Sequence, residues 1–216
     1  MEKAKFIIVG EGKVGKTSIL SQYHESSFQT EYQSTTAPDK VIKKIKMNGQ
    51  ELTLEIWDTA GQEVYKAANK IFMKKTNIAL IVYDITERES FTKLNDWYKN
   101  VLECANKDGI IFGIAANKSD LYEAKKVNTN EGKEFADSIG ALFFETSAKD
   151  KESVDLAFNS LAESYLKKLN EKKEEEKEEE KEKEENIKID RESQIKLDLK
   201  LKEKKGCCGE KKKNNK

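Results

Sequence analysis

Residues 10–17 read Gly-Glu-Gly-Lys-Val-Gly-Lys-Thr. A glycine, four residues and then Gly-Lys-Thr is the spacing of a loop that wraps phosphate. Gly10, Gly12 and Gly15 permit backbone angles closed to other residues, so that successive N–H groups can converge on one anion. A helix starting just after the loop adds unpaired donors and the positive end of its dipole. Lys16 brings a cation to the β- and γ-phosphates, and the Thr17 hydroxyl is a ligand for Mg²⁺. A chance glycine-rich turn would lack the required flanks. Here residues 6–9 (Phe-Ile-Ile-Val) read as a buried strand, and Ile19, Leu20 and Tyr23 follow at helical spacing.

Such a loop serves ATP, GTP or a metabolite kinase, and three further stretches bear on the choice. Residues 58–61 (Asp-Thr-Ala-Gly) follow a strand pattern; Asp58 can hold Mg²⁺ through water, and the Gly61 amide can approach a γ-phosphate with no Cβ in the way. Residues 117–120 (Asn-Lys-Ser-Asp) follow another strand, and Asp120 can accept two parallel hydrogen bonds from the ring N–H and exocyclic amine of guanine. Adenine lacks that donor pair, and a site left with unmatched polar groups discriminates by ~10⁴ or more. Residues 146–149 (Thr-Ser-Ala-Lys) close a third strand, where a backbone N–H could meet the guanine carbonyl. Each four-residue stretch alone is equally a polar loop; four in order, each after a strand, are not.

The elements that position them alternate. Strands are expected at residues 4–9, 40–46, 52–56, 78–83, 109–116 and 141–144, and helices at 16–23, 89–104, 129–139 and from Val154 through Leu169. Residues 24–38 read as an exposed loop, and 64–75 as a weakly periodic helix. Asn48-Gly49 marks a hairpin. This is an α/β chain of the P-loop type: six strands, mostly parallel, with one antiparallel edge strand and helices on both faces. The phosphate loop, Asp58, Asn117 and Ser147 then share the carboxyl edge of the sheet, where such folds bind ligands.

Composition narrows the setting. The 216 residues hold 40 Lys plus Arg against 40 Asp plus Glu, so no net field draws the chain to nucleic acid or membrane. The charged fraction of 37% is high, and most of the excess lies after Leu166. Three cysteines, two of them adjacent, form no disulfide framework and fit a reducing compartment; Cys104 reads as a small core residue. No apolar run approaches the ~18 residues of a membrane span, and a core strand follows Met1 too closely for a signal peptide.

With the stretches GEGKVGKTS, WDTAGQE, ANKSD and ETSAK, and IVYDIT at residues 81–86 with KLNDW at 93–97, residues 4–169 resemble the Ras superfamily of small GTPases and, within it, the Rab branch. The phosphate loop with TTAPDKVIKKIKMNGQ is most similar to the early-endosomal Rabs. The resemblance implies a switch, active with GTP and inactive with GDP, with slow hydrolysis between. It implies nucleotide contacts from Gly10, Gly12, Lys13, Val14, Gly15, Lys16, Thr17, Ser18, Gly61, Asn117, Lys118, Asp120, Ser147, Ala148 and Lys149. Phe28 corresponds to the aromatic that packs on guanine. Thr35 joins Thr17 and Asp58 around Mg²⁺; Gln62 serves hydrolysis by orienting the attacking water, and Lys16 serves it at the β- and γ-phosphates. Read from spacing alone, Thr35 is one of several hydroxyls in a polar loop, and Phe28 equally fits the core. His24, the only histidine, reads as a surface residue.

Arg88 and Arg191 are the only arginines, and neither falls in a phosphate-facing loop. An activating protein is therefore expected to supply an arginine in trans, worth ~10³–10⁵ in rate. The family also implies an exchange factor, a prenylation escort or GDI-like protein, and an effector bound through Trp57 and Phe72. The Rab segment after the threonine usually reads Ile-Gly-Val-Asp-Phe; here it is Thr36-Ala37-Pro38-Asp39-Lys40. Lys40 thus replaces an aromatic of the effector surface, Pro38 stiffens the loop, and Val64 stands where an arginine is usual.

From residue 170 the chain becomes a hypervariable tail. Residues 167–185 are almost only Lys and Glu, and read as a solvated extension of the last helix or a spacer. Apolar residues alternate from Ile187 to Leu201, the pattern of an extended segment that docks on a partner. Cys207-Cys208, between lysine clusters, resembles the Rab double-cysteine prenylation site, but eight residues follow it where the family leaves none to a few. Two lipid chains would anchor the chain stably on the cytoplasmic face of endomembranes, endosomal by the subgroup resemblance, from which it would cycle with the cytosol. A redox pair is the rival, although adjacent cysteines bridge only with strain. Three function classes follow: a switch GTPase of vesicle traffic, a nucleotide-binding scaffold with impaired cycling, and a P-loop kinase or ATPase, against which Asp120 and the lack of an acceptor site argue.

Overall fold

The computed structural model describes residues 2–25, 39–59, 72–105 and 109–206. The chain divides into two units, Met1–Leu166 and Lys167–Lys216. In the first, β1 (Glu2–Val9) leads through the phosphate loop into α1 (Lys16–Glu25), and β2 (Asp39–Met47) pairs with β3 (Gln50–Asp58). There follow β4 (Ile78–Asp84), α2 (Arg88–Thr92), α3 (Leu94–Cys104), β5 (Ile111–Asn117), a 3₁₀ turn (Ser119–Ala124), α4 (Thr129–Ser138), β6 (Leu142–Thr146) and α5, which starts at Lys151.

The six strands lie in the order β2-β3-β1-β4-β5-β6. Only the β2–β3 pair is antiparallel; the other four pairings are parallel. Met47 faces Gln50 across the hairpin, and Asn48 and Gly49 both take positive φ, 51° and 77°, as a two-residue turn matched to strand twist demands. β4 is buried along its whole length, which is why its residues are apolar up to the closing Asp84 and do not alternate. The sheet separates two cores. On one side Phe158 of α5 stacks between Phe6 and Tyr23, with ring centroids 4.8 and 4.0 Å away. On the other, Trp97 and Val101 of α3 pack with Ile7, Val9, Tyr83 and Ile114.

The single helix expected over 89–104 is two helices meeting at Lys93. Ser90 and Thr92 donate their hydroxyls back to the carbonyls of Glu87 and Glu89, at 2.7 and 2.8 Å, a local bond that competes with helix continuation. Ser90 Oγ also accepts from the Asp84 amide at 3.0 Å, so this short helix is fastened to the end of β4. Leu102 is 46% exposed, and Cys104 is half-buried at the rim of the core. His24 is exposed, as expected.

In the second unit the chain is helical as far as Gly206, so residues 167–185 are helix and not a spacer. The extended segment expected from Ile187 to Leu201 is helical as well. A period-two pattern makes a strand only where a neighbouring strand takes its backbone groups, whereas Lys, Glu and Leu all favour helix and bond within their own segment. Among the described residues no helix is long and apolar enough to cross a membrane.

The ring stack makes Phe158 the main attachment of α5 to the sheet. Phe158→Ala should lower unfolding stability by ~3–5 kcal/mol, measured by urea denaturation of the full chain; a loss under about 1 kcal/mol would show that the site closes around the cavity and that the stack is not the anchor.

Candidate nucleotide-binding site

The parallel strands β1, β3, β4, β5 and β6 end together, and the polar side chains sit at or just after their last residues. The loop after β1 is shaped by close approach. Gly10 takes φ 144°, and a Cβ there would lie 2.2 Å from the Val82 carbonyl oxygen. Gly15 takes φ 95°, and a Cβ there would lie 2.4 Å from Asn117 Nδ2. Gly12 does not take a positive φ; between it and Gly15 the turn is made by Lys13, at φ 65°. Two of the three glycines are thus required by geometry, and a lysine performs the strained turn assigned to the third.

Lys16 opens α1 and is 6% exposed. Its ammonium donates to the carbonyls of Gly10 at 2.9 Å and Glu11 at 2.7 Å. Burial pushes its pKa down to about 8, against the raising effect of Asp58 and Glu11. A cation held in a dry pocket by two carbonyls gains from any anion that can replace lost hydration, so the pocket suits a phosphate. Thr17 Oγ1 and Asp58 Oδ2 lie 2.5 Å apart, a hydroxyl and a carboxylate converging beside that cation. Such hard oxygens suit Mg²⁺, which needs one or two protein ligands beside phosphate and water.

At the other end of the edge, Asn117 is 1% exposed. Its amide donates to the Val14 carbonyl at 2.7 Å and accepts from the Thr146 hydroxyl at 3.2 Å. Lys118 takes left-handed angles, φ 63° and ψ 37°, and its ammonium pairs with Asp84 at 2.5 Å. Asp84, the last residue of β4, also accepts from the amide and hydroxyl of Thr86, at 2.8 and 2.7 Å. The Asp120 carboxylate accepts from Ser147 Oγ and from Lys149 Nζ, both at 2.8 Å. Desolvation raises its pKa, but the bonds from Lys149 and Ser147 outweigh it and keep the group ionised below the usual carboxylate range. The Ser147 amide donates to Ser153 Oγ at 3.1 Å, and the Lys149 amide to Ser147 Oγ at 3.2 Å.

The structure therefore gathers the residue 10–18 loop and helix start, Asp58, Asn117, Lys118, Asp120, Ser147, Ala148 and Lys149 on one sheet edge. Phe28, Thr35, Gly61, Gln62, Cys207 and Cys208 lie outside the described residues. Trp57 and Phe72 are in tilted contact, with centroids 5.3 Å apart and planes at 40°, and Lys40 Nζ lies 5.5 Å from the Trp57 ring centroid. Arg88 is committed to Glu131 of α4, at 2.7 Å. Sequence reasoning missed Asp84. It carries the same sign as Asp58 and Asn117, a polar residue ending a buried strand, and could have been found by it. The contact of Glu11 Oε1 with Trp97 Nε1, at 2.9 Å, was not legible, because it joins elements 86 residues apart.

The sequence model described as the Ras family matches residues 5–167. Ras-related protein Rab-2B of Dictyostelium discoideum is 39% identical over 76% of this chain and 81% of its own. Rab-11B of the same organism is 40% identical over 73% of this chain and 71% of its own. Human Rab-17 is 38% identical over 77% and 78%. These near-equal identities to differently numbered Rabs separate no subgroup. A match of that extent shows that the chain belongs to the Ras family, and the Rab names its relatives share put it in the Rab branch of the small GTPases.

Proposed function

We propose that the protein is a GTP-binding molecular switch that hydrolyses GTP to GDP slowly and regulates intracellular vesicle trafficking. The observation that carries the choice of base is the Asp120 carboxylate, kept ionised by Lys149 and Ser147. A carboxylate has about four lone-pair sites, so two donors from a guanine can still be accepted. With the Ser147 and Lys149 amides engaged internally, the Ala148 amide is the natural donor to the base carbonyl. Lys118, its head fixed on Asp84, offers its methylene stem as a wall for the ring, and Phe28 would face it. The amides of residues 12–18 and Lys16 bind the phosphates. Thr17, Asp58 and, in the GTP state, Thr35 would hold Mg²⁺, which when bound neutralises charge developing on the phosphates. Gly61 approaches the terminal phosphate, and Gln62 orients the attacking water.

Arg88 is occupied by Glu131, which supports the need for an arginine supplied in trans by an activating protein. Exchange factor, escort or GDI-like protein and effector complete the cycle; the effector would use the Trp57–Phe72 pair. The lipidated pair Cys207 and Cys208 would carry the chain to the cytoplasmic face of endomembranes. A second reading, a nucleotide-binding scaffold that cycles poorly, is favoured by the altered residues 36–40, with Lys40 over Trp57 where an aromatic is usual. No nucleic-acid partner is proposed.

Base choice is tested by Asp120→Asn. It should lower GTP affinity by ~10²-fold or more and raise affinity for xanthosine triphosphate, because the amide can donate to the added ring carbonyl; nucleotide competition on the full chain reads both, and a wild type that binds ATP as tightly as GTP sinks the reading. The cycle is tested by Gln62→Leu, which should slow single-turnover hydrolysis roughly tenfold or more at nearly unchanged GTP affinity. An unchanged rate favours the scaffold. For the tail, Cys207→Ser with Cys208→Ser should move the protein from membrane to soluble fractions with GTP binding intact. Membrane-bound native material whose intact mass shows both thiols free and all trailing residues present would rule out lipid anchoring, whether by prenylation, trimming then prenylation, or palmitoylation.

A further inference from the structure

The phosphate loop carries a negative charge of its own. Glu11 sits between Gly10 and Gly12, and its carbonyl accepts from the Lys16 ammonium at 2.7 Å. A carboxylate so placed repels a phosphate chain and competes for the buried Lys16 ammonium, unless something holds it elsewhere. That something is on α3: Trp97 Nε1 donates to Glu11 Oε1 at 2.9 Å. Trp97 is 3% exposed and packed among the residues of the second core, so its indole is a fixed donor and not an adjustable one.

A buried indole needs an acceptor, and any carbonyl would serve. The acceptor here is an anion on a loop whose task is to bind anions, which is the costly choice if the bond only satisfies Trp97. We propose that Trp97 is a positioning residue for the nucleotide: its indole holds the Glu11 carboxylate out of the phosphate cradle and keeps Lys16 available. The proposal rests on the guanine-nucleotide reading. Its consequence depends on charge. A freed carboxylate opposes every phosphate, and it opposes the ligand with one more phosphoryl group the most, so the contact sets the balance between triphosphate and diphosphate.

The test measures dissociation rates of GDP and of a non-hydrolysable GTP analogue from the full chain. Trp97→Phe should speed loss of the triphosphate analogue about tenfold and of GDP clearly less, with the difference shrinking as salt screens it. Glu11→Gln in the same chain should bring both rates back to within about twofold of wild type, since the charge is gone. Glu11→Ala, which leaves Trp97 in place, keeps the proposal testable if Trp97→Phe does not fold, and should leave the ratio of the two rates unchanged or shifted towards triphosphate retention. Equal acceleration of both ligands in Trp97→Phe, no rescue by Glu11→Gln, or selective triphosphate loss in Glu11→Ala would each overturn it and leave Trp97 a packing residue. A wild-type chain that retains neither nucleotide overturns the guanine reading, and this proposal falls with it.

Discussion

The Asn117 side chain, buried at the end of β5, donates to the Val14 carbonyl at 2.7 Å and accepts from Thr146 at 3.2 Å. One amide thereby fixes the phosphate loop and the end of β6, and it leaves no room for a side chain at Gly15, where a Cβ would lie 2.4 Å from Nδ2. Removing it would orphan a buried carbonyl and a buried hydroxyl, each at ~1–3 kcal/mol. The parallel sheet supplies the rest of the constraint. Because β1, β3, β5 and β6 run the same way, residues far apart in sequence meet at one edge without any dedicated loop to bring them there.

Charge at that edge is balanced group by group. Lys118 meets Asp84 and Lys149 meets Asp120 as ion pairs, whereas Asp58 accepts a hydrogen bond from the neutral Thr17 hydroxyl. Lys16 is different, being held by neutral carbonyls in a dry pocket that lowers its pKa to about 8. That arrangement is unfavourable for a charged lysine standing alone and favourable once an anion arrives. Asp58 and Glu11 favour the charged lysine but offset only part of its desolvation.

How much of this could be read from the sequence follows the range of the interactions. Polar residues that end a strand or follow it within a turn are local features, so Asp58, Asn117 and Asp120 stood out, and Asp84 could have. The hairpin was legible because Asn48-Gly49 supplies the two positive φ angles its turn needs. Glycine content misled at Gly12, since the strained angle falls on Lys13; composition shows where strain is affordable, not where it is placed. The break at Lys93 depends on Ser90 reaching the end of β4, and the period-two pattern of residues 187–201 yields to helix because no pairing strand is encoded beside it.

Lys40 shows why a departure from the family pattern need not reach the nucleotide edge. It lies on β2, opposite Trp57 of β3, and its ammonium sits 5.5 Å from that ring's centroid, with Lys5 at 5.4 Å. A cation over an indole face is attracted by the ring's quadrupole, at ~0.5–1 kcal/mol where exposed, so the lysines support the ring in place of an aromatic neighbour. The Trp57–Phe72 contact is retained, and the β2–β3 register carries Asp39 to Asp58 without a bulge. With Lys40 at this position Asp58 lies beside Thr17, whose hydroxyl donates to it. The surface pair Lys40–Trp57 and the site residue Asp58 are therefore neighbours at the same end of one strand pair, and alternation along the strand turns Trp57 and Asp58 to opposite faces of the sheet.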